Sequence, residues 1–182
     1  MSFVIATALL GAIILDTKLI LTESVTQASP AKAVLPETKI YSGKPATIHV
    51  EKLGLNVPVA DGIYNKRDSS WSLSFTNAHY ATVTPKLNSI AGNTFIYGHN
   101  TSKIFGNLVK LNTGDILSIL TDKGDTFYYK LESFHEVQPS NTEALQPSLK
   151  PILTIQTCTG NWNEKRGMFT FNLVSINNKP NI

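Results

Sequence analysis

"DILSILTDKGDTFYYKLESF", residues 115–134, reads as two strands joined at Asp122-Lys123-Gly124-Asp125. A short polar cluster with a glycine, set between two apolar runs, is the signature of a β-hairpin. The same punctuation recurs along the chain. "TIHVEKLGLNVPVADG" (47–62) reads as two short strands around Gly54, and "NTFIYGHN" (93–100) alternates until Gly98 breaks it. "PILTIQTC" (151–158) and "GMFTFNLVSI" (167–176) supply two more strands. Only "TSKIFGNLVKL" (101–111) and "SNTEALQ" (140–146) have a helical look, the second with a capping box from Ser140 to Glu143. Many short strands with few helices predict an all-β barrel or sandwich over residues 44–182.

Composition agrees with a packed domain and removes several function classes. Of 182 residues, 42% are hydrophobic and 16% charged, enough apolar mass for a core. The net charge of +3 comes from scattered Lys and Arg, so no nucleic-acid partner is expected. With one cysteine there is neither an internal disulfide nor a CxxC zinc or redox site. The four histidines, His49, His79, His99 and His135, lie far apart, and none pairs at helical metal-site spacing. No metal and no cofactor are expected.

The N-terminal part has a different character. Phe3–Leu15 carries no charge, and the apolar run resumes at Leu19-Ile20-Leu21 after Asp16 and Lys18. Residues 1–21 reach the roughly 20-residue length of a membrane span when those charges sit at one interface. They are read as a hydrophobic helix serving as signal-anchor, although no basic residue precedes the run. Residues 22–43 are polar and interrupted by Pro30 and Pro36, the pattern of an extended linker. The expected arrangement is a single-pass cell-membrane protein with its domain outside the cell.

Side-chain parity bears on the lone cysteine. Successive residues of a strand point to opposite faces, so Leu153 and Ile155 share one face while Thr154, Gln156 and Cys158 share the other. In the last strand Phe169, Phe171 and Leu173 form the apolar set, and Arg166 is in phase with Thr170 and Asn172. Cys158 and Arg166 are therefore expected on the outer wall. A cysteine with a histidine elsewhere is a candidate nucleophile and base, and a guanidinium supplies donors to an oxyanion. An inert buried thiol fits the residues equally well. His99, at a strand end after Gly98, is the best-placed histidine; His49 is expected to be partly buried in its strand.

These segments together resemble sortases. "TIQTC" (154–158) is similar to the Thr-Leu-x-Thr-Cys signature of that family, with Ile155 in place of leucine. "GNTFIYGHN" (92–100) resembles the segment carrying the family histidine, and Arg166 follows Cys158 by eight residues, as the family arginine does. "PATIHVEKLGLNVPV" (45–59) and "FGNLVKLNTGDILSI" (105–119) extend the likeness across residues 44–176. The short Thr159–Lys165 loop departs from class A.

The resemblance implies a closed β-barrel of about eight strands with one or two short helices and a groove on its outer wall. It implies that Cys158 attacks a carbonyl in an LPxTG-like sorting motif of a secreted surface protein. The resulting thioacyl group would pass to an amine from the cell wall or another protein. His99 would be the acid and base, and Arg166 the oxyanion and orienting group. Thr157 would lend its backbone N–H or hydroxyl, with Thr154 and Gln156 beside it as substrate contacts. Two rivals remain: a thiol peptidase resolved by water, and a silent peptide-binding barrel.

Overall fold

The computed structural model describes residues 39–180. Eight strands close into a barrel: β1 Pro45–Val50, β2 Leu55–Gly62, β3 Ala78–Ala81, β4 Gly92–Tyr97, β5 Ile116–Thr121, β6 Thr126–Val137, β7 Pro151–Thr159 and β8 Lys165–Ile176. The order around the wall is β6-β8-β7-β4-β3-β2-β1-β5, with β5 returning to β6. Closure leaves no barrel edge exposed. Two neighbour pairs, β2 with β3 and β7 with β4, are parallel; the rest are antiparallel.

Alternation builds the interior. Leu117 and Ile119 of β5, Phe127 and Tyr129 of β6, Leu153 and Ile155 of β7, and Phe169 and Phe171 of β8 all point inward and are buried. Burial pushes the Tyr129 phenol above its ordinary range. The β5–β6 hairpin turns at Gly124, whose φ of +83° suits a residue without Cβ. Thr121 clasps the turn, its hydroxyl donating to the Asp125 carbonyl and accepting the Asp125 N–H.

Parallel neighbours need long crossovers, because the chain must travel back along the barrel before pairing again. The β2–β3 crossover takes residues 63–77 and carries a small ladder, Tyr64–Asn65 against Ser70–Trp71. β6 and β7 also run in the same direction, since each is antiparallel to β8. Residues 138–150 accordingly return over the outer wall. There Asn93 Nδ2 donates to the Ala144 carbonyl at 2.7 Å, and the Thr154 hydroxyl donates to Asn93 Oδ1 at 3.0 Å.

Several sequence expectations change. Residues 101–111 and 140–146 do not form α-helices; each gives turns and one 3-10 turn, Leu108–Lys110 and Glu143–Leu145. Gly106 interrupts the first segment, and both are too short to nucleate a helix alone. Ser140 makes no capping box, because the Glu143 N–H donates instead to Asn141 Oδ1. His49 is exposed, pointing away from its buried neighbours Ile48 and Val50. Strand β3 went unpredicted. At the N-terminal end, Ser42 and Gly43 pair with Asn88 and Leu87, so the folded body includes the last residues assigned to the linker. The hydrophobic segment 1–21 lies outside the described residues, among which no helix is long and apolar enough to cross a membrane.

Strand β5 offers an internal control on this packing. Leu117 is 1% exposed and Leu120, on the opposite face, 44%. Leu117→Ala is expected to lower unfolding free energy by about 2–5 kcal/mol. Leu120→Ala should change it by about 0.5 kcal/mol or less. Equal losses in urea titrations would contradict the assigned register.

Candidate active site

The site grows from the ends of three strands that share the outer wall. β7 and β8 pair so that Cys158 lies directly opposite Arg166, and Gln156 opposite Met168. On the other side of β7, Gln156 pairs with Tyr97 at the end of β4. Inward residues Leu153, Ile155, Phe169 and Phe171 anchor these strands in the core, which forces Gln156, Cys158, Arg166 and Met168 outward.

Phe95, Tyr97 and Met168 make an apolar floor, packed as a second cluster with Trp71, Ala144 and Leu145 from the two crossovers. Between these walls lies a cavity of about 420 Å³ lined by His99, Cys158 and Arg166 together with Gln156. Its size and mixed lining suit a peptide side chain or a few backbone units. Among the described residues no Asp, Glu or Lys lines it, and the Arg166 guanidinium is the one permanent charge there.

Backbone carbonyls hold that charge in place. Arg166 Nη1 donates to the carbonyls of Asn163 and Lys165, each at 3.0 Å. Its Nε–H and Nη2 donors have no protein partner among the described residues, and no acid pairs with it there. The nearest-in-sequence cation, Lys165, bonds Glu136 at 3.0 Å. That contact holds the Glu136 carboxyl below its ordinary range and raises Lys165.

The loop bearing His99 is tied to β7 twice. The Gly98 N–H donates to the Gln156 carbonyl at 3.1 Å, and the Gly98 carbonyl accepts the Thr157 hydroxyl at 3.0 Å. Gly98 is required by close approach: a Cβ there would lie 2.8 Å from Ile104 and 3.0 Å from Phe105. The next turn is sealed by the Phe105 N–H, which donates to the His99 carbonyl.

The structure therefore brings His99, Cys158, Arg166 and Gln156 to one cavity and leaves two of the named threonines outside it. Thr157 is buried, its hydroxyl engaged with Gly98. Thr154 is buried under the 138–150 crossover, engaged with Asn93. Both side chains hold the frame of the site. Asn93, Trp71 and Phe75 went unnoticed in the sequence. Phe75 comes from the 63–77 crossover, and its ring stacks on that of His99 at 4.5 Å between centroids. Asn93 could have been suspected from its phase, two and four residues before Phe95 and Tyr97 on the same outer face.

Comparison with known proteins accords with this geometry. The sortase-domain family model matches residues 48–174. Sortase SrtE1 of Streptomyces coelicolor is 29% identical over 137 residues, which cover 69% of this chain but 39% of that protein. The chain thus spans about two-fifths of the length of that curated relative. Among solved structures, the same organism's sortase E1, crystallised with a tripeptide in its active site, superposes with a TM-score of 0.61 at 24% identity. That superposition covers 74% of this chain and 90% of the other. The Clostridium perfringens sortase D5 transpeptidase gives a TM-score of 0.60 at 29% identity, over 75% and 83% of the two chains. The family match runs from the first barrel strand into the last and takes in His99, Cys158 and Arg166: the chain belongs to the sortase family.

Proposed function

We propose that the protein is a cysteine transpeptidase that cleaves a sorting motif in secreted proteins and joins the acyl part to an amine. The observation that carries this reading is the meeting of the lone cysteine, a histidine and an acid-free arginine in one outer-wall cavity. A free thiol placed beside a proton acceptor and fixed N–H donors is what acyl transfer through a thioester requires.

The steps follow from the residues. Cys158 Sγ, as thiolate, adds to the scissile carbonyl, and the carbonyl oxygen becomes an oxyanion. The Nε and Nη2 donors of Arg166, which have no protein partner among the described residues, receive it, while Nη1 stays with its two carbonyls. Collapse breaks the C–N bond as His99 gives its proton to the leaving amine, and a thioester on Cys158 remains. An incoming amine then gives a proton to neutral His99 and attacks the thioester. The second collapse forms an amide and returns the thiolate. In this reading Gln156, which lines the same cavity, contacts the peptide backbone.

In this reading residues 1–21 anchor the chain in the cell membrane as a single pass, and residues 22–43 space the barrel from it. The barrel then faces outward, toward LPxTG-like motifs on surface proteins and toward an acceptor amine of the cell wall or of another protein. Water can also resolve the thioester, so slow hydrolysis is expected when amine is absent.

Intact-mass spectrometry of the full chain with a panel of LPxTG-like peptides tests the proposal. The expected result is an acyl adduct on wild type and none on Cys158→Ala, with ligated peptide appearing when triglycine is added. Adducts that yield only hydrolysed peptide in the presence of amine would favour a peptidase. Absence of any adduct, with Cys158 unreactive to a thiol reagent, would leave a binding barrel.

Arginine and lysine should not be interchangeable here. Arg166→Lys keeps the charge but loses the planar fork, and kcat is expected to fall about 10²–10³-fold. Retention of most of the wild-type rate would mean that charge alone, without fixed N–H geometry, serves the oxyanion.

A further inference from the structure

A catalytic base is commonly oriented by a third group that bonds its other nitrogen. His99 lacks one. Among the described residues, His79 is the histidine whose ring has a hydrogen-bond partner, through Nδ1 to the Asp61 carbonyl at 3.4 Å. No acid pairs with His99 there either. Rotation about the last side-chain bond of a histidine has broad minima, so an imidazole without a partner sweeps its nitrogens through a wide arc.

One contact restrains it. The Phe75 ring lies over the His99 ring at 4.5 Å between centroids and 8° from parallel. Phe75 is 74% exposed, so the stack on His99 lies at the surface, where the imidazole can be reached from the groove. Its backbone is held there deliberately. The Ser74 hydroxyl accepts the Thr76 N–H at 3.1 Å and meets the Thr76 hydroxyl at 2.9 Å, which forms a tight turn with Phe75 at its tip.

The turn is itself moored to the strand that leads into His99. The Tyr97 hydroxyl donates to the Ser72 carbonyl at 3.0 Å, and Trp71 packs edge-on against the Tyr97 ring at 5.3 Å. Ser72 and Ile63 exchange two further bonds across the base of the crossover, each 3.0 Å. The end of β4 thus grips the crossover at Tyr97 and is covered by it at His99, two residues later.

We propose that Phe75 is the positioning residue for His99. The flat stack fixes the plane of the imidazole, and with it the directions along which Nδ1 and Nε2 take and give protons. It also closes one face of the ring to water. An aromatic face does here what a carboxylate does in other nucleophile–base pairs, and it adds no negative charge beside Arg166. The role in turnover rests on the transpeptidase reading above, whereas the stack itself does not.

The test uses the full chain. Phe75→Leu keeps apolar bulk but removes the flat ring, and Phe75→Tyr keeps the ring. With a peptide that acylates the wild type, Phe75→Leu is expected to lower kcat about two- to tenfold, the size of one aromatic contact, with KM little changed. Phe75→Tyr should restore the rate. A rise in KM at unchanged kcat would overturn the proposal and make Phe75 a substrate contact; so would failure of the tyrosine to rescue a slowed leucine variant. Proton NMR of the wild type needs no turnover and stands even if the leucine variant does not fold. Nuclear Overhauser contacts between the Phe75 and His99 ring protons are expected, and their absence overturns the stack. A wild type with the stack but without acyl adduct would instead overturn the transpeptidase reading.

Discussion

The inward set Leu153, Ile155, Phe169 and Phe171 fixes the register of β7 on β8, and the chemistry of the outer wall hangs on that register. A slip of one residue would turn all four side chains to solvent. At about 1.5–3 kcal/mol for each large apolar side chain exposed, the loss would rival the whole stability of an ordinary domain, about 5–15 kcal/mol. The core therefore leaves one arrangement, and in it Cys158 faces Arg166 across a single ladder rung. No direct bond between the two is needed to bring them together.

Barrel topology supplies the remaining wall. A sheet made only of hairpins would have short turns at its ends and a bare outer face. The parallel β2–β3 pair and the shared direction of β6 and β7 demand crossovers, and both are folded back beside the ends of β4 and β7. Polar pins hold them: Asn93 to Ala144 on one side and Tyr97 to Ser72 on the other. A groove arises where the strand ends supply reactive side chains and the crossovers supply apolar ones. This division explains why residues far apart in sequence, such as Phe75 and Arg166, serve one place.

Strand parity made part of this legible before any coordinates. Gly54 and Gly124 marked hairpin turns, and alternation placed Cys158 and Arg166 on the wall and the apolar residues of β7 and β8 within it. The helical readings were met only by the 3-10 turns Leu108–Lys110 and Glu143–Leu145, because Gly106 and the Asn141 side chain sit where an α-helix would have needed its backbone bonds. Strand β3 escaped notice because "AHYA" is buried on both faces, covered outside by the crossover, and so shows no alternation. Thr154 and Thr157 looked like substrate contacts because they are polar and adjacent to a nucleophile. Their hydroxyls are engaged with Asn93 on β4 and with Gly98 just beyond it, long-range pairings that sequence spacing does not encode. The Phe75 stack is of the same kind: it joins a crossover tip to a strand end, and neither segment carries a sign of the other.

The distribution of acids around the groove completes the argument. A carboxylate bonded to Arg166 would compensate its charge and compete with any oxyanion for the same donors. Here the one acid on the neighbouring rung, Glu136, is drawn to Lys165, and carbonyl oxygens of Asn163 and Lys165 position the guanidinium without neutralising it. Partial dipoles orient a cation while leaving its full charge available, at the cost of keeping it partly solvated. The same logic applies at His99, where an aromatic face can hold the ring without a second anion in a small cavity. Both His99 and Arg166 are thus flanked by neutral groups, and among the described residues that line the groove Arg166 carries the one permanent charge.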